Sequence, residues 1–152
     1  MARPDAVPPF AAANPEAAEE AIAHCFGCGP KNARGLHLEA KVEGDRATIA
    51  WQPSQAHAGW DTVIHGGLVA TLIDEAAAFA IVEGLRSFGF TRTLQVQYRK
   101  PTRWTLPVRA EARVTERDAQ RAVAHVRVTQ EGVLTAEGTV EFRLMAEPPP
   151  AA

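Results

Sequence analysis

The sequence predicts one α+β domain, an antiparallel sheet of about six strands curled around a single long helix. Three observations point there. On either side of the chain's centre, apolar and polar residues alternate with a period of two, the mark of strands with one covered face. The segment between, from about Gly66 to Glu83, is apolar over too long a run for an ordinary strand and is rich in Ala and Leu, so it reads as a helix. Alternating strands pair antiparallel, and a helix apolar nearly all round needs something wrapped about it.

The elements follow in order. Residues 1–21, rich in Pro and Ala, read as a flexible arm, residues 22–145 as the folded domain, and residues 146–152, "AEPPPAA", as a disordered tail. Leu36, Leu38, Ala40 and Val42 alternate, "EGDR" supplies a turn, and Ala47, Ile49 and Trp51 alternate again, which predicts a hairpin. A Pro/Ser/Gly-containing loop leads to the helix. Four strands follow: Leu94 to Tyr98, Val108 to Val114, Ala122 to Val128, and Leu134 to Leu144, separated by "KPTRWTLP", "ERDAQ" and "QEG".

A chain of 152 residues fits one domain with a sizeable core. With 46% hydrophobic residues, 22% charged residues and a net charge of -2, it offers no electrostatic case for nucleic acid or an anionic membrane surface. Neither a signal-peptide pattern nor a run of about 18 uncharged apolar residues is found, so the expectation is a cytoplasmic protein. Cys25 and Cys28 sit too close in sequence to staple distant parts of the fold.

Two adjacent carboxylates, Asp74 and Glu75, interrupt the apolar helix. A buried carboxylate is costly unless paired or protonated, so its presence asks for a use. Helical spacing puts Gly67, Ala70, Asp74, Ala78 and Ile81 on one stripe with Thr71 beside it, while Leu68, Leu72, Ile73 and Phe79 supply bulk elsewhere. Glu75 is rotated about 100° away, so at most one of the pair belongs to a site, and Asp74, in the small-residue groove, is the candidate. Just upstream, His65-Gly66-Gly67 falls where the helix begins, and its backbone N–H groups there can meet a polarised oxygen with help from the helix dipole.

The run "HGGLVATLIDEA" resembles the hotdog-fold acyl-CoA thioesterases, in particular the phenylacetate-pathway (PaaI-like) family, whose pattern is His-Gly-Gly, an apolar stretch and a catalytic acid. "HCFGCGPKNARGLHL" resembles the lead-in of one branch, and "FTRTLQVQYRKP" the strand after the helix. The resemblance implies hydrolysis of an acyl-CoA to free acid and coenzyme A, with Asp74 as catalytic acid and Gly66 as donor to the thioester oxygen. It also implies that His65 shapes the turn, that Gly67 contacts substrate, and that Thr91 approaches the acid from the other subunit. It further implies a homodimer with sites at the interface, paired into a homotetramer. Many relatives carry Asn or Gln six residues before this histidine; here that position is Gly59, and the residue to hold the water is Thr91 or His65.

Thioester hydrolysis suits so few polar groups. It needs a base or nucleophile and donors for the developing oxyanion, while a thiolate with a pKa of about 8.5 already leaves without a strong acid. Arg99, Lys100 and Arg103, around Pro101, are candidates for the phosphates of coenzyme A, with ordinary surface charge as the alternative. Phe79, Val82, Phe88 and Phe90 are candidates for the acyl pocket. No cofactor beyond the substrate's own coenzyme A is expected, and no metal, because Cys25 and Cys28 supply only two ligands unless His24 or His37 folds back. A glycine-rich turn packing its cysteines on the helix or the acyl site is the expected role. Two other functions compete: a binding module that holds acyl-CoA without turnover, and a hotdog enoyl-CoA hydratase, for which Asp61 before His65 speaks and "TVI" between them does not.

Overall fold

The computed structural model describes residues 20–145. The predicted tail and the predicted arm up to residue 19 lie outside the described residues; residues 20–21, assigned above to the arm, belong to a helical turn over residues 20–23. The strands are β1 (Ala40–Glu43), β2 (Arg46–Trp51), β3 (Ala58–Trp60), β4 (Val63–Ile64), β5 (Phe88–Tyr98), β6 (Val108–Arg117), β7 (Arg121–Gln130) and β8 (Val133–Met145). Six of them form one antiparallel sheet in the order β1-β2-β6-β7-β8-β5.

The expected hairpin is present but shorter. Leu36 and Leu38 are buried, yet they precede β1 in an irregular lead-in, with His37 between them in the left-handed region (φ 51°). The turn between β7 and β8 holds Glu131 (φ 49°) and Gly132 (φ 77°), two consecutive left-handed residues, as a tight two-residue hairpin demands. The loop before the helix contains a short ribbon of its own, β3 with β4, which the sequence pattern does not announce because only a few residues pair.

Helix α1 (Gly66–Ala78) continues directly into a wider π-type turn over Phe79–Gly84, so the apolar run is helical throughout its predicted length and one residue beyond. Val69, Leu72, Ile73, Ala76 and Ala77 are buried against the inner faces of β6, β7 and β8, which contribute Val108, Ala110, Val126, Val128, Ala136 and Val140. One expectation fails here. Ile81, predicted on the small-residue stripe, is fully buried, because a π-type turn advances less per residue than 3.6-fold geometry and rotates it into the core. Among the described residues no helix is long and apolar enough to cross a membrane.

Contact between helix and sheet is close at Gly138 on β8. A β-carbon there would lie 2.8 Å from Ile73 Cγ2 and 2.8 Å from the Gln95 carbonyl oxygen. Gly138→Val is therefore expected to destabilise the fold by about 1–3 kcal/mol through overpacking, read as a lower denaturation midpoint in urea with an unchanged slope.

Candidate active site

β5 lies alongside α1, and an irregularity in it builds the site. Its pairing with β8 slips between Thr91 and Thr93, so Arg92 is an extra residue. A bulge of this kind changes which face subsequent side chains occupy. Thr91 and Tyr98 are an odd number apart, and on a regular strand they would point to opposite faces; with the bulge both reach α1. Thr91 Oγ1 donates to Asp74 Oδ1 at 2.7 Å, and the Tyr98 hydroxyl donates to the Gly66 carbonyl at 2.7 Å.

Asp74 is half-buried on the side of α1 that also carries Ala70, Thr71 and Ala78. Burial pushes its carboxyl above the ordinary aspartate range, and the Thr91 hydrogen bond pulls part of the way back. The Thr91 contact is made within one chain, which differs from the cross-subunit approach implied by the resemblance.

At the other end of this groove, His65 caps α1. Its Nδ1 accepts from the Gly67 N–H at 3.0 Å, which places the ring proton on Nε2. The peptide between Gly66 and Gly67 is thus held at both ends, its N–H by His65 and its carbonyl by Tyr98. Gly67, expected to meet substrate, has its N–H already engaged. The Gly66 N–H, by contrast, finds no acceptor among the described residues, as expected for the first turn of a helix. Tyr98 is the residue of this groove that the sequence does not single out. It is the sole tyrosine and lies on the β5 alternation, but only the bulge reveals where it aims.

Gly59, on β3, faces the His65 backbone: a β-carbon would fall 2.8 Å from His65 Cα. No amide side chain fits there with the loop in this position. The basic residues gather at the same end of α1. Arg103 bridges to Val63 and its guanidinium donates to Thr62 Oγ1 at 2.5 Å, just ahead of His65. Arg99 is engaged by Glu137 and Gln97, while the Lys100 side chain is exposed. Phe79 and Val82 pack against the core, and Phe88 meets Phe90 edge to face at 5.2 Å. Asp61, the hydratase candidate, is exposed at the tip of the β3–β4 ribbon.

Glu75 faces elsewhere, as its rotation predicts. The turn Cys25-Phe26-Gly27-Cys28-Gly29 folds over it, with Cys25 Sγ donating to Glu75 Oε1 at 3.7 Å. Burial is the main cause that raises the Glu75 carboxyl and the Cys28 thiol.

A helix wrapped by a six-stranded antiparallel sheet is the hotdog fold. The model of the thioesterase superfamily matches residues 61–137, just over half of the chain, and the chain belongs to that superfamily. Among solved structures it is similar to RHA08564, a thioesterase superfamily protein, at 20% identity and TM-score 0.73, over 79% of this chain and 63% of that one. It is also similar to a mutant of phenylacetic acid degradation protein PaaI from Thermus thermophilus, at 27% identity and TM-score 0.66, over 72% of this chain and 95% of that one. A hypothetical thioesterase with coenzyme A from Streptococcus pneumoniae aligns at 16% identity and TM-score 0.67, over 71% of this chain and 85% of that one. The last and the first of these speak to the fold alone. No curated protein matches the chain.

The hydrogen bond from Thr91 has a direct test. In Thr91→Ala, burial acts on Asp74 unopposed, so its titration midpoint, followed by carboxyl carbon NMR, is expected to move further up.

Proposed function

We propose that this protein hydrolyses an acyl-CoA thioester to the free acid and coenzyme A. The observation that carries the reading is the half-buried Asp74, fixed by Thr91 on a groove that begins at the unengaged Gly66 N–H. With Thr91 on Oδ1, the other carboxylate oxygen takes a proton from water as that water attacks the thioester carbon. The raised affinity of Asp74 for protons makes it a better base than an ordinary aspartate. Charge developing on the carbonyl oxygen meets the Gly66 N–H and the positive end of α1, and the carbon–sulfur bond breaks to release thiolate. His65 and Tyr98 hold the Gly66–Gly67 peptide still. Lys100 and Arg103 are the residues we assign to the coenzyme A phosphates, with Arg99 already committed to Glu137.

The active form we propose is a homodimer joined through β5, with pairing of dimers into a homotetramer as a further step. β5 ends the sheet, pairing with β8 alone among the described residues, and it exposes Phe90, Leu94 and Tyr98. A long edge strand with apolar side chains calls for a partner, and a twofold axis supplies one. Asp74 and Thr91 lie beside that edge, so the partner would close the site. We place the protein in the cytoplasm, with no nucleic acid or membrane partner and no cofactor in the reaction.

The filled space at Gly59 favours one competing reading, an acyl-CoA-binding module without turnover, because no amide helps to orient water. The two separate cleanly in an assay of thiol release across aromatic and aliphatic acyl-CoAs. Hydrolysis is expected, with kcat lowered about 10²–10⁴-fold in Asp74→Asn; binding with no thiol release, or an unaffected mutant, overturns the reading. The rate should rise with pH as Asp74 ionises, with its inflection above the aspartate reference of about 3.9. Leu94→Arg is expected to convert the dimer to monomer in light scattering and to lose hydrolysis with it.

A further inference from the structure

The sequence offers two metal ligands in Cys25 and Cys28 and, beyond them, only His24 or His37; the structure supplies a different third. Glu75, one residue past the proposed catalytic acid, is brought under the cysteine turn so that the two Sγ atoms and a carboxylate oxygen all lie within 4.8 Å of one another. Neither histidine weighed for the site takes part. His24 Nε2 is 3.7 Å from Glu20, and His37 Nε2 is 2.5 Å from the Asn32 carbonyl.

We propose that Cys25, Cys28 and Glu75 form a zinc site, with water in the fourth position, that ties the lead-in segment to α1. Two thiolates and a carboxylate are a ligand set zinc accepts, and the Cys-x-x-Cys spacing is the one common in its structural sites. The distances are close to what is needed. Tetrahedral zinc with Zn–S of about 2.3 Å and Zn–O of about 2.0–2.2 Å sets its ligand atoms about 3.5–3.8 Å apart. The Cys25 Sγ to Glu75 Oε1 separation is already 3.7 Å, so closure asks only for small side-chain rotations.

The turn is built for this approach. A β-carbon on Gly27 would fall 2.2 Å from Glu75 Cδ, so a larger residue would push the carboxyl group aside, and glycine lets it stay under the turn. Its loop is closed by Gly29 N–H to the Cys25 carbonyl (2.9 Å) and fastened from outside by Leu36 N–H to the Phe26 carbonyl (2.8 Å) and Leu38 N–H to the Gly27 carbonyl (2.8 Å). Such backbone fastening gives the cysteines fixed directions, as outer contacts around metal ligands do. The groups that act on the Glu75 carboxyl are Cys28, Asp74 and Cys25, none of them a cation. A divalent ion provides the positive charge this half-buried carboxylate otherwise lacks.

The test uses the full, tag-free chain, reduced and then freed of chelator. Equimolar zinc by elemental analysis is expected, lost in Cys25→Ser/Cys28→Ser and weakened about tenfold or more in Glu75→Gln. Cobalt(II) in place of zinc should give an intense thiolate-to-metal charge-transfer band, and chelation should lower the thermal midpoint and expose both thiols to a disulfide reagent. Less than about a tenth of an equivalent of bound zinc, a cobalt spectrum without that band, or full zinc content in the double variant overturns the proposal. Should the double variant fail to fold, the wild-type cobalt spectrum decides. None of these readouts depends on thioester hydrolysis, so this site and the proposed reaction stand or fall separately.

Discussion

Burial of α1 is the constraint on which the rest of the molecule turns. Its apolar surface runs round most of the helix, and no single flat layer covers that much circumference. The sheet therefore bends about it, with small residues such as Ala110, Ala124, Ala136 and Gly138 on the inner face allowing the helix to sit close. What remains uncovered is the narrow side bearing Ala70, Thr71, Asp74 and Ala78, and it opens toward β5. The position of the carboxylate is thus a by-product of which side of the helix the sheet leaves over.

Two kinds of local irregularity convert this scaffold into a site. The bulge at Arg92 lets one strand address both the carboxylate and the start of the helix, through Thr91 and Tyr98. The π-type turn after Ala78 ends the small-residue side and returns Ile81 to the core. Regular geometry would supply neither, and each sits next to the groove that holds Asp74; departures from ideal periodicity often mark sites of this kind.

That is also why the sequence is legible in some places and opaque in others. Period-two alternation is a property of each strand by itself, so β6, β7 and β8 can be read from Val108, Val126 and Val140 without knowing their neighbours. The separation of Asp74 from Glu75 follows from helical rotation and is likewise readable. The reach of Thr91 to Asp74, the engagement of Gly67 by His65 and the aim of Tyr98 depend on how β5 and the loop before α1 run past the helix, which no local pattern encodes. The third member of the cysteine cluster was hidden for a similar reason: Glu75 is 47 residues from Cys28, and only the tertiary fold makes them neighbours.

Gly59 carries a consequence for redesign. The β3 backbone lies so close to the start of α1 that a β-carbon at this position would fall 2.8 Å from His65 Cα. Backbone atoms yield far less readily than the end of a flexible side chain, so a single substitution cannot set a new polar group beside the helix start. The β3–β4 loop has to be rebuilt together with it.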